Sequence, residues 1–173
     1  LDNTFGIADT LHILGGNARL QGDDARALAL EQESLALCRE LGFKSLIPAV
    51  LIGLGYIAQR QGDAARARGC FAEALTLCRE SDNQQMLVVS LAGLARVAGM
   101  QGQPERAARL FGAVEALAEL LQAPLSAGHQ IEIDRNMALT RAQVDEATFA
   151  AAWAEGRALS LEQAIADALG DGD

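Results

Sequence analysis

Tyr56 and Arg60 stand four positions apart, and Arg96 follows Tyr56 by 40. Side chains at i and i+4 of a helix share a face. One aromatic ring and two guanidinium groups on adjacent helices would clamp a carboxylate beside an apolar side chain, and Tyr and Arg are enriched at binding hot spots. Other constellations carry less. Gly53-Leu-Gly-Tyr-Ile-Ala58 fits a relaxed dinucleotide fingerprint, but that motif works where a strand turns into a helix, and here it lies within a helical pattern. His12 and His129 have no HExxH spacing, so no zinc site is expected. Asp167, Asp171 and Asp173 lack the length and Gly placement of a calcium loop. No Ser/His/Asp or Cys/His set can be placed on one surface. The expectation is a non-enzyme with no cofactor and no metal.

Charge narrows the partners. The 173 residues hold 14 Lys and Arg against 23 Asp and Glu, a formal charge of −9. A nucleic-acid groove or an anionic membrane surface needs the opposite field. The longest nearly uncharged apolar stretch, 45–58, contains Pro48 and falls short of the ~20 residues that span a bilayer. Cys38, Cys70 and Cys78 are odd in number and form no CxxC pair, which reads as three free thiols in a reducing cytoplasm. The chain opens on Leu1 with no basic segment before an apolar run, so we expect no signal peptide and a piece of a longer polypeptide.

The elements that position these residues are set by a repeat. Leu11 to Gly42 and Leu51 to Asp82 match at 16 of 32 positions, and Leu51 to Asp82 and Leu91 to Gln122 at 10 of 32. The Gln-Gly pair recurs at 21, 61 and 101, and Leu-Cys-Arg-Glu at 37 and 77. With 34 Ala and 26 Leu, the composition favours helix. Apolar residues recur at three and four positions on both sides of Gly22, Gly62 and Gly102, which predicts helical hairpins turning at those glycines. Asp23 and Asp63 are placed to cap the second helices, and Pro104 to open the third. The periodic Arg26, Arg66 and Arg106 read as an anion ladder or, more simply, as a solvated row.

Leu54-Gly55, Ala58, Ala67, Phe71 and Ala74 resemble the tetratricopeptide repeat, with small residues where paired helices approach. The first copy carries Glu31 and Ser34 where that repeat has Phe and Ala. The resemblance implies an all-α, right-handed superhelix of antiparallel hairpins, here with a 40-residue period. It divides the chain into three hairpins over 1–122, a degenerate fourth hairpin over 123–159, and a capping helix with a frayed tail over 160–173. The degenerate hairpin and the closing helix together would cover the open face of the last repeat. Trp153 is expected to pack within this terminal cap rather than anchor a partner.

In that architecture the first helix of each hairpin lines a concave face. The inward positions correspond to Asp9, His12 and Arg19, then Ile52, Tyr56, Gln59 and Arg60, then Val89, Arg96 and Met100. The expected partner is a protein or peptide bearing an acidic and an apolar group. His12, Ile52, Tyr56, Gln59, Arg60, Arg96 and Met100 are the site residues. Residues 104–112, 123–125 and 149–164 further resemble the C-terminal tetratricopeptide region of large bacterial signalling ATPases, LuxR-type transcriptional regulators among them. That resemblance implies a sensor or scaffold arm of a larger regulator, with the parent chain's own ATPase domain as one candidate partner and a second copy as another. A small-molecule effector site is the alternative.

Overall fold

The computed structural model of the chain describes residues 2–122 and 125–170. Among the described residues there are nine α-helices and no strand: α1 (Asp2–Leu20), α2 (Asp24–Leu41), α3 (Ile47–Arg60), α4 (Ala64–Glu80), α5 (Gln84–Met100), α6 (Pro104–Leu120), α7 (Ala127–Arg141), α8 (Glu146–Arg157) and α9 (Leu161–Leu169). The all-α helical-repeat reading of the sequence holds. Gly22, Gly62 and Gly102 turn the three hairpins with φ of 83°, 77° and 75°, a conformation in which a Cβ is strained. The caps fall as expected in the first two copies, where Asp23 and Asp63 accept from the backbone N–H of Arg26 and Arg66. Gln103 makes no such side-chain bond, and Pro104 starts α6 unaided.

A second set of turns shares the same period. Gly42, Asp82 and Gln122, each between one hairpin and the next helix, all have positive φ. Only the first of them is a glycine, so Asp82 and Gln122 hold a conformation that L side chains rarely adopt.

The chain divides into two compact units, residues 1–77 and 78–173. In the first, α1 packs on α2 and α3, with Ala18, Ala27 and Ile57 at the core of the contact. The hairpin of α3 with α4 closes on Gly55. A Cβ there would lie 2.7 Å from the Phe71 ring, so Phe71 takes the space that a side chain would fill. Ala67 on α4 is fully buried. Ala67→Leu is expected to overpack this hairpin and cost about 1–3 kcal/mol. Urea denaturation measures it, and an unchanged midpoint would show that the small residue at 67 does not set the helix spacing.

In the second unit α5 and α6 form the third hairpin, α7 lies against both, and α8 lies against α6. The approach of α8 to α6 is closer than side chains permit. A Cβ on Gly112 would lie 2.0 Å from the Trp153 carbonyl oxygen, and one on Gly156 1.7 Å from that of Arg109. Phe149 and Ala152 pack with Ala108 beside this crossing, and Trp153 packs against them as expected.

The short α9 starts with the capping box of Ser160 and Gln163 and packs on α5 and α6. The cause is electrostatic as well as apolar. Arg106 Nε and Arg109 Nε reach the two Asp167 oxygens at 3.1 and 2.8 Å, and Arg106 also donates to the Asp167 carbonyl oxygen. Arg106 is therefore neither a rung of an anion ladder nor a solvated side chain. Gly170 ends α9 in the left-handed conformation, and the tail at 171–173 lies outside the described residues.

Cys38, Cys70 and Cys78 are free thiols. Burial raises the pKa of all three, that of Cys78 to about 11. No described helix is long and apolar enough to cross a membrane.

Candidate functional site

The residues expected on one wall separate into two groups. Tyr56 and Ile52 are 2% and 1% exposed, so neither presents a surface to a partner, which corrects their placement on the groove wall. The reason lies in α3, where every residue from Val50 to Ala58 is buried. Spacing of i and i+4 fixes a common face but says nothing of whether that face meets solvent, and a helix apolar on all sides is enclosed. Tyr56 stands edge-on to Phe71 with ring centroids 5.5 Å apart, and the Arg19 guanidinium lies 4.9 Å from its ring centre.

Arg60 is engaged within the fold. Its Nη1 donates to the Arg19 carbonyl oxygen at 2.7 Å, and its Nε lies 3.3 Å from Asp24 Oδ1. Both contacts hold the turn between α1 and α2. Gln59 is half-buried beside it, as is Asp9 on α1, and Val89 on α5 is fully buried. His12 places Nδ1 at 2.9 Å from Glu31 Oε2. Tyr56 and Arg60 are thus both occupied within the first unit.

Glu31 is what the sequence pattern flagged without assigning a role. It stands where the next copies have Phe71 and Phe111, is 1% exposed, and packs against Gly15 and Gly53, where a Cβ would meet its side chain at 2.9 and 2.4 Å. Burial pushes its carboxyl above the ordinary range. The hydrogen bond and charge of His12, then the charge of Arg19, pull it partly back.

Arg96 is different. It is half-buried on α5, one turn before the half-buried Met100. Its Nη1 lies across Gly99, 3.6 Å from where a Cβ would be, and the Thr140 hydroxyl of α7 lies 3.4 Å from the same point. Without a side chain at 99, the guanidinium has room beside α7. Burial, and then the like charge of Arg135, lower the basicity of Arg96. Among the described residues no carboxylate pairs with Arg96 or Arg135, whereas Arg39, Arg79, Arg141 and Arg157 all have one. The α7 face here is polar and buried: Glu132, Asn136 and Thr140 follow one another at four-residue steps. A half-buried guanidinium that has lost part of its hydration and feels the like charge of the exposed Arg135 is suited to a carboxylate or phosphate, which would offset both. Arg135 escaped the sequence reading because α7 lies beyond the 40-residue period.

Consecutive helical hairpins on a fixed period, closed by small residues and turned at positive-φ glycines, define a helical-repeat protein. Two family models, both described as tetratricopeptide repeat, match residues 7–41 and 46–119. Residues 7–41 and 46–119 are therefore tetratricopeptide repeats, which typically act as non-catalytic scaffolds for protein–protein interaction. No curated protein and no solved structure matches it significantly.

Proposed function

We propose that the chain is a non-catalytic protein-interaction module, the sensor or scaffold arm of a larger bacterial regulator, and that it recognises an acidic group of its partner at Arg96. The observation that supports this reading is Arg96 itself, half-buried across Gly99 beside α7, subject to the like charge of Arg135 and paired with no carboxylate among the described residues. Holding like charges together costs stability in the free chain, and an acidic side chain or C-terminal carboxylate of a partner would return that cost on binding. Met100 supplies an adjacent apolar contact. Membership of a regulator rests on the resemblance of residues 104–112 and 149–164 to such proteins, and the coding sequence around this segment tests it.

Arg96→Ala is expected to weaken binding of an acidic peptide by about 1–3 kcal/mol, roughly tenfold or more. It should leave the denaturation midpoint of the free chain unchanged or raised. Arg60→Ala, by contrast, should lower stability by about 1 kcal/mol through its lost contacts to Arg19 and Asp24, with little effect on affinity. Fluorescence anisotropy with a library of Asp- and Glu-bearing peptides reads both. Equal affinities for the Arg96→Ala variant and the parent chain would place the partner surface elsewhere.

A further inference from the structure

A cleft of about 260 Å³ opens between α6 and α7, within the second unit and apart from Arg96. Its floor is apolar and built from two helical stripes: Phe111 and Val114 of α6 face Ile133 and Met137 of α7. Phe111, Val114 and Ile133 are buried, and Met137 is half-buried at the side. The mouth is acidic. Glu115, Glu119 and Asp134 border it, all three exposed. Among the described residues Arg157 is the one cation paired with this rim, at 3.0 Å from Glu115 and 2.9 Å from Glu119. Asp134 takes its hydrogen bond from the neutral Gln130 amide, so three carboxylates share one guanidinium and the rim stays negative.

We infer that this cleft receives an apolar side chain of a partner polypeptide that carries a lysine or arginine beside that side chain. Size and charge select this occupant. Sites that enclose a small molecule span about 300–1,000 Å³, so this cleft has room for a side chain rather than for a whole metabolite. An apolar floor takes a leucine-, methionine- or phenylalanine-like group, with Met137 as an adaptable wall. The carboxylates sit outside the cavity, where they meet the residues flanking the inserted group, and a basic flank is complementary to them while an acidic flank is repelled. The surface is thus opposite in sign to the one at Arg96, and it stands or falls independently of it.

The test is a titration of the isotope-labelled chain with an acetylated, amidated peptide of alternating lysine and leucine, followed by amide shifts. The shifts should concentrate at Phe111, Val114, Ile133 and Met137. Ala118→Trp, which fills the cleft from its α6 side, should weaken binding about tenfold or more. Asp134→Lys, a substitution on the exposed rim that leaves the floor intact, should weaken it about threefold. Three results would overturn the inference: equal affinity for a peptide with serine in place of leucine, equal affinity with glutamate in place of lysine, or no shifts at millimolar peptide. A fourth, shifts at the floor on adding phenethylamine but none on adding the peptide, would assign the cleft to a small amine instead.

Discussion

Gly156→Ala is expected to destabilise the second unit by about 3 kcal/mol or more, the upper end of what overpacking costs. One methyl group has this effect because of what it meets. The new Cβ would lie 1.7 Å from the Arg109 carbonyl oxygen, a backbone atom inside α6 that no rotamer change can move. Relief requires the helices to part, and parting them also opens the contact of Phe149 and Ala152 with Ala108. The intrinsic helix preference of alanine over glycine, about 1 kcal/mol, acts in the opposite direction and is outweighed. Gly69 supplies the control. It lies exposed in α4 with no atom within 4 Å of a Cβ placed there, so Gly69→Ala should raise stability by up to about 1 kcal/mol. Thermal and urea unfolding of the two variants should move in opposite directions, and similar shifts would show that the helices can separate without loss.

Glu31→Lys should cost about 3–5 kcal/mol, the range for a buried charge whose partner is removed. It would set an ammonium beside His12 and Arg19 at a position 1% exposed. Glu31→Gln keeps the shape and isolates the charge. Because burial raises the Glu31 pKa above 4.5 in the folded chain, the folded state holds the proton more tightly than the unfolded one. Its contribution is therefore full below pH 4.5 and falls as pH rises through the folded-state value. The Glu31→Gln variant should lose that decline. Stability measured across pH 4–8 checks the sign, and parallel curves for the two proteins would refute it.

Much of the repeat was legible before any coordinate, because it rests on local signals. Gly22, Gly62 and Gly102 mark turns by a conformation that other residues resist, and Asp23 and Asp63 mark helix starts by a side-chain bond three residues long. The capping box at Ser160 and Gln163 belongs to the same class. The site was less legible. Tyr56 looked like an exposed aromatic because its neighbour four positions on is an arginine, yet Arg60 turns back to the Arg19 carbonyl and Tyr56 is enclosed by Phe71 and Arg19. Long-range burial decided both. Gly112 and Gly156 carried no signal either, since two glycines 44 positions apart become partners only when α6 and α8 cross. The destination of α9 depended on Asp167, which reads as one acidic residue among several until two arginines of α6 are found around it.

The docking of α9 has a consequence for how the chain opens. Nine residues are too few to hold helical structure alone in water, so α9 is a helix only while Ala164, Ile165 and Ala168 stay buried and Asp167 stays between Arg106 and Arg109. Its coiling and its attachment are one event. The amide protons of this segment therefore report detachment directly: they exchange with solvent whenever the helix lets go, on a time scale set by the ion pairs of Asp167 and Glu162 and three apolar contacts rather than by unfolding of the hairpins beneath.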